Sequence, residues 1–339
     1  MHRPTPRVRR RQGPVLALLV AVTVACGACA STPSAQVAPA TAVPVLPAGA
    51  QVAHPAASTT GPEACGDPTA SLAPPATMPT PGDMPAGTWM HQIQQRGYLI
   101  AGVDQNTNLW GYRDPTTGQY SGFDIDMLHQ VSQAIFGTPD AIHFVVVPTA
   151  DRVKAVQSGQ VDIVAETMTI NCAREQAIDF SSVYYTAAQQ ILVPAGSTIT
   201  GPGDLAGKRV CATAGSTSLA NLAGLGLKPP PVLWAVPNDT DCLVMLQQGQ
   251  VDAISTDNVI LQGLEAQDPA TTIVGTAIST EPYGMAIAKS HPEFTAFVNG
   301  VLAAERADGT WAAIYSHWLA PYTGGQVPAP PTATYRAAP

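Results

Sequence analysis

Apolar and polar positions along this chain alternate between two periods. "RGYLIAGVD", Arg96 to Asp104, is a short apolar run, and past the turn "DPTTGQYSG" the segment "GFDIDMLHQVSQAIFG" sets Ile125, Leu128, Val131 and Ile135 at three- and four-residue spacing. That period predicts a helix, with Gly137 as its stop. "IHFVVVP", Ile142 to Pro148, reads as a buried strand; Thr149 then reads as the cap of a helix "ADRVKAVQSG" ending at Gly159, and "VDIVA" as the next strand. Further on, "NDTDCLVMLQQGQ" from Asn238 is a helix ending at Gly249, and "VDAIS" is a strand. "PEFTAFVNGVLAAERADG" and "TWAAIYSHWLA" predict two closing helices.

Two of these units are near copies. "QSGQVDIVAET", Gln157 to Thr167, and "QQGQVDAISTD", Gln247 to Asp257, keep Gln, Gly, Gln, Val and Asp in register. Each pairs a helix stopped by a glycine suited to a left-handed cap with a strand opened by Val-Asp. Their separation is too long for a solenoid repeat and fits one α/β lobe following another. "QILVP" and "PYGMAIAKS", Pro282 to Ser290, predict two extended crossings. The expected fold is therefore α/β, in two lobes joined by a two-stranded hinge: residues 89–190 and 284–322 in the first lobe, 191–283 in the second.

The ends differ in character. Arg3, Arg7, Arg9, Arg10 and Arg11 precede the apolar "VLALLVAVTVA", Val15 to Ala25. That core is shorter than the roughly 20 residues a bilayer span needs, so residues 1–25 read as a cleaved signal peptide. The following "TVACGACAS" resembles a bacterial lipobox, with Cys26 fitting better than Cys29 as the lipidated residue. Residues 26–88 are rich in Ala, Pro and Thr without helical or strand period and read as a lipid-anchored tether; 323–339 reads as a disordered, proline-rich tail. The chain carries 24 Asp+Glu against 16 Lys+Arg, and five of those arginines belong to the signal. The exported part is thus strongly acidic, which argues against nucleic acid. Cys65, Cys172, Cys211 and Cys242 remain where disulfides persist, and four cysteines allow three pairings. No pair among these four has metal-site spacing and the seven histidines are scattered, so neither a metal nor another cofactor is expected.

Ligands of open α/β sheets gather at the carboxyl ends of strands. The repeat delivers Glu166 and Thr167 there in one lobe and Thr256 and Asp257 in the other, and "TMTINCAR" adds Thr169 and Arg174. Threonine hydroxyls and a guanidinium fork suit a carboxylate. Asp257 facing them suits an ammonium, although Asp257 is also placed to cap the helix "NVILQGL". Asp124, Asp162, Asp179 and Asp252 read as caps and turns. The combination asks for an α-amino acid.

Residues 90–320 resemble the extracellular solute-binding proteins of polar amino-acid ABC importers, on six landmarks in the family's order. These are "GFDIDM", "RVKAVQSGQVDIVAETMTINCAREQAIDFSSVYY", "DLAGKRVCATAGSTS", "QVDAISTD", "PYGMAIAK" and "VNGVLAAERADGTWAAIYSHWL". The resemblance implies a Venus-flytrap closure of the two lobes. It places the α-carboxylate on Arg174 and Thr169 and on the loop Gly215, Ser216 and Thr217, whose N–H groups open a helix. The α-ammonium falls on Asp257, and Asp104 matches a position that contacts the ligand side chain. Where receptors for glutamine often carry an aromatic past Asp104, this chain has Thr107 and Asn108. Arg152 matches an arginine of receptors for acidic amino acids. Both departures favour aspartate or glutamate over asparagine and glutamine.

With the secondary elements so placed, Cys211 and Cys242 fall in one lobe and read as a local pair. Cys65 is left to clamp the tether to Cys172. A tethered, monomeric, non-enzymatic receptor at the extracellular face of the membrane, serving an ABC permease, is the reading this supports. A sensor subunit docking on a transmembrane signalling partner shares every feature, and a dehydratase on the same fold lacks a catalytic grouping here.

Overall fold

The two periods build two large sheets, of five and six strands, packed against helices, beside a three-stranded and a two-stranded one among the described residues. The structure, a computed structural model, describes residues 45–54 and 65–336; the expected signal peptide and Cys26 lie outside the described residues. In the first lobe the strand order is Ile142–Val146, Leu99–Val103, Ile163–Val164, Ala286–Ile287 and Asp179–Phe180, the first three parallel. In the second it is Gln51–Ala53, Val232–Val236, Arg209–Thr213, Ala253–Asp257, Tyr185–Pro194 and Thr271–Tyr283. Strand alternation divides the core accordingly. Leu99, Ala101, Val103 and Ile163 meet the helices Phe123–Phe136 and Pro292–Asp308, while Val164 faces Ala155 and Val156 on the opposite side. Each such large apolar side chain, fully buried, contributes about 1.5–3 kcal/mol.

The repeat has a structural cause. Asp162 Oδ2 accepts the Ile100 N–H at 2.8 Å and pairs with Arg96; Asp252 Oδ2 accepts the Arg209 N–H at 2.8 Å while Oδ1 meets the Arg209 guanidinium at 2.5 Å. In both lobes the aspartate thus clamps its own strand to the start of the neighbouring parallel strand. These residues are neither caps nor turns, and the glycines before them, Gly159 and Gly249, take left-handed φ of 69° and 66°.

The crossing lies earlier than expected. Tyr185–Pro194 and Thr271–Tyr283 run antiparallel, Tyr185 opposite Tyr283. The rings of Tyr185 and Tyr283 stand 4.8 and 5.6 Å from Trp110 in the first lobe's aromatic core. Ile191, Leu192 and Val193 of "QILVP" are already buried in the second lobe. An apolar run reads the same whether it crosses or is enclosed. Likewise Ile142–Val146 is an edge strand with Val146 exposed. Thr149 lies in a 3-10 turn, Thr149–Asp151, without capping the helix Arg152–Gln157.

The tether and tail expectations fail over part of their length. Gln51–Ala53 adds antiparallel to Val232–Val236 at the edge of the second sheet. Ala70–Leu72 pairs in parallel with Thr334–Arg336 of the tail, and this ribbon packs on the first lobe. There the Ser71 hydroxyl donates to Phe180 O at 2.6 Å, and Asn299 Nδ2 donates to Leu72 O at 2.6 Å. Arg336 pairs with Glu175 at 3.3 Å and with Asp179 at 3.1 Å. Edge pairing uses backbone N–H and C=O groups, which every sequence carries, so composition did not reveal it. The disulfides are Cys65–Cys172 and Cys211–Cys242, with Cα atoms 5.8 and 5.6 Å apart.

Candidate functional site

Between the lobes, where strand ends and helix starts converge, lies a polar cavity. Arg152, Thr167 and Thr169 line it from the first lobe, and Ser216, Thr217 and Asp257 from the second. Asp104 lines an adjoining pocket with Glu166, Asn238 and Asp239. Arg174 and Gly215 close the rim: Arg174 Nη1 donates to Thr169 O at 2.6 Å and Nη2 to Gly215 O at 3.2 Å, from one lobe to the other. The lobes touch here. A Cβ on Gly215 would fall 2.7 Å from Ala150 Cα, and Gly215 has φ of 77°. Asn106 Nδ2 also reaches Asn238 Oδ1 at 3.1 Å.

Local chain geometry aims each group. Asn171 caps the short helix Cys172–Glu175 by accepting the Arg174 N–H at 2.9 Å, which turns the Arg174 side chain back along the Thr169 strand end. Ser216 caps the helix Thr217–Gly224 by accepting the Leu219 N–H at 3.1 Å, leaving Thr217 at its first turn. Thr167 sits at φ of 42°, a costly conformation for a β-branched residue. Asp124 beneath it holds the Thr167 N–H at 2.9 Å and the Tyr184 hydroxyl at 2.6 Å, so this aspartate supports the site and is no cap.

Asp257 stands at the cap position of Asn258–Gln267 but makes no side-chain cap bond. Its Oδ2 accepts the Tyr283 hydroxyl at 2.5 Å, and its Oδ1 is buried without a partner among the described residues. Burial, reinforced by the charge of Glu281 and eased by the Tyr283 bond, pushes its carboxyl up to about 8. A buried polar atom of a titratable side chain that lacks a partner calls for an explanation, and Asp257 lines the cavity. Arg174 experiences the converse. Burial and then the like charge of Arg152 push its guanidinium down to about 9, opposed by Glu281, Asp257 and Glu166, so it remains a cation at neutral pH.

The adjoining pocket is crowded with carboxyl groups. Arg152 is buried, with Nε on Thr149 O at 3.0 Å and Nη1 on Glu166 O at 2.6 Å. Glu166 accepts weakly from Thr149 Oγ1 at 3.3 Å, and its Oε2 is buried without a partner among the described residues; burial raises its carboxyl well above the usual range, with Arg152 relieving part of that. Asp239 accepts from Thr213 Oγ1 at 2.6 Å and is pushed by burial up to about 6. Asp104 accepts the Gln105 N–H at 2.6 Å and the Thr107 hydroxyl.

Sequence reasoning missed Glu281, Asp239 and Tyr283. Glu281 is buried in a crossing strand, where Thr169 Oγ1 and Thr217 Oγ1 lie 2.7 and 2.8 Å from its Oε2. Its signal was a lone acid in the otherwise uncharged run from Thr271 to Ala288. Among the described residues, no group of three or more His, Cys, Asp or Glu is arranged to hold a metal ion.

Residues 99–321 match the family described as bacterial extracellular solute-binding proteins, family 3. The chain is similar to the ABC transporter glutamine-binding protein of Bacillus subtilis, 33% identical over 228 residues covering 67% of this chain and 83% of that protein. A glutamine-binding protein of Geobacillus stearothermophilus is 36% identical over 206 residues, covering 60% and 78%. Among solved structures, a solute receptor for L-cysteine of Neisseria gonorrhoeae superposes with a TM-score of 0.66 at 27% identity, covering 70% of this chain and 96% of that one.

Proposed function

The chain belongs to family 3 of the bacterial extracellular solute-binding proteins, and on that footing we propose that it is the receptor of an ABC importer, closing its lobes on an amino acid with a neutral polar side chain. One observation carries the reading. Asp257, whose buried Oδ1 has no partner among the described residues, lines from the second lobe a cavity at whose rim the first lobe holds the Arg174 cation. A zwitterion gives each its counter-charge, and the family's glutamine-binding relatives support that ligand class.

We infer that the surroundings of Arg152 favour the opposite side-chain order from the one its presence suggests. Two of its N–H groups are committed to backbone carbonyls, and Glu166, Asp239 and Asp104 ring the adjoining pocket. A ligand carboxylate there adds a like charge beside Glu166 and Asp239, whose ionisation burial already resists, whereas an amide adds none and offers N–H donors to the carboxyl oxygens. Glutamine and asparagine therefore come ahead of glutamate and aspartate. Delivery to a permease and a lipid anchor at Cys26 on the outer face of the membrane complete the proposal. Calorimetric titration with the four ligands tests it: the amides should bind tighter than the acids by at least about tenfold, ~1.4 kcal/mol. Tighter binding of the acids refutes the side-chain assignment, and silence from every amino acid refutes the receptor reading.

A further inference from the structure

Glu281 stands on a crossing strand, opposite Ala187, at the floor of the cleft. Its Oε1 is held by Asn221 Nδ2 at 3.1 Å and by the Ser279 hydroxyl, and its Oε2 faces the Thr169 hydroxyl of one lobe and the Thr217 hydroxyl of the other. A hydroxyl has one proton and two lone pairs, and an ionised carboxylate only accepts. Both threonines therefore have a charged acceptor within 2.8 Å for their single proton. A bond to a charged group is stronger than one to a neutral one, so those protons are committed there. Their oxygens, 3.3 Å apart, sit side by side on one carboxylate oxygen and turn lone pairs toward the cavity.

We propose that Glu281 is a positioning residue that fixes the polarity of Thr169 and Thr217, so that the cleft accepts hydrogen bonds from a ligand ammonium and these hydroxyls do not donate to a ligand carboxylate. The inference rests on the amino-acid reading and deepens it. Asp257 Oδ1 and Thr169 Oγ1 then form an acceptor set around the ammonium, with Glu281 as a second negative charge behind it. The carboxylate is left to Arg174 and to backbone N–H groups at the start of Thr217–Gly224. This reverses the role that the sequence suggested for the Thr169 hydroxyl. It also explains an acid buried where neither lobe's core requires one.

The consequence is selectivity for an α-ammonium over an α-hydroxyl. Glutamine and its 2-hydroxy counterpart, in which a hydroxyl replaces the ammonium, are the probes, titrated calorimetrically into the full chain. The wild type should prefer glutamine by about a thousandfold or more, as for a site whose buried polar groups the analogue leaves unpaired. Glu281→Gln places an amide N–H toward the threonines, frees a hydroxyl proton for the cavity, and should shrink that preference at least tenfold. Thr169→Val gives a second measurement that keeps Glu281 in place, with Thr217 and Asn221 still donating to it: it should weaken glutamine at least tenfold and leave the hydroxy acid within threefold. Equal losses for both ligands in Thr169→Val, or an unchanged preference in a folded Glu281→Gln, overturn the inference while the amino-acid reading stands. Should the wild type bind neither ligand nor any other amino acid, both fall together.

Discussion

Replacing Asp257 by Asn should push ligand affinity and protein stability in opposite directions. The substitution is isosteric. The Asn carbonyl can keep the Tyr283 hydroxyl bond that Asp257 Oδ2 now receives at 2.5 Å, and the amide nitrogen takes the place of the unpartnered Oδ1. In the bound state an ammonium would then face N–H groups where a carboxylate stood. Losing the partner of a buried charge costs about 2–5 kcal/mol, or ~30-fold to several-thousand-fold in Kd. Without ligand the sign reverses. The folded carboxyl titrates at about 8, against about 3.9 for an unfolded aspartate. Such a group leaves stability intact below the unfolded value, erodes it as pH rises through the interval between the two, and reaches its full cost above the folded value. At pH 7 that cost is on the order of 4 kcal/mol, so Asp257→Asn should melt higher by roughly 5 °C or more. The stability gain should vanish near pH 4 and level off above pH 8. Calorimetric titration at pH 7.5 with thermal melts across pH 4 to 9 measures both halves. A variant that binds as well as wild type, or that is destabilised at pH 8, refutes the assignment of Asp257 as the buried ammonium partner.

Arg174→Ala should weaken every amino acid by about 2–5 kcal/mol in calorimetry, because the α-carboxylate is common to all of them; a loss confined to one ligand would move Arg174 to the side-chain end. Cys65→Ser, which opens the Cys65–Cys172 bond beside the helix carrying Arg174, should lower unfolding free energy by about 2–4 kcal/mol in denaturant titration. An unchanged midpoint would mean that the ribbon Ala70–Leu72 is held by its hydrogen bonds alone. Cys26→Ala should shift the protein from the membrane fraction to the medium; retention, with release by Cys29→Ala instead, would place the lipid on Cys29.

Much of the architecture was legible because it repeats local rules. Helix stops at Gly137, Gly159 and Gly249 follow from left-handed backbone that glycine alone adopts freely, and the apolar period of Ile125, Leu128, Val131 and Ile135 returns as buried residues on one helix. Six of the nine residues singled out for ligand binding line one cavity, since strand ends and helix starts are where such a fold exposes polar groups. What the sequence could not determine was partnership at a distance. It could not tell that the Asp of each repeat binds an arginine, Arg96 at the end of the helix before the neighbouring strand or Arg209 at the start of that strand, nor that Gln51–Ala53 and Ala70–Leu72 find strand partners far along the chain. Hydrogen-bond direction is the sharpest case. Thr169 looks like a carboxylate donor in isolation, and the acceptor role we propose for it depends on folding, which brings Glu281 of a distant strand within 2.7 Å of its hydroxyl. Residue type determines what a side chain can do; which of its protons and lone pairs remain free is decided by the neighbours the tertiary structure supplies.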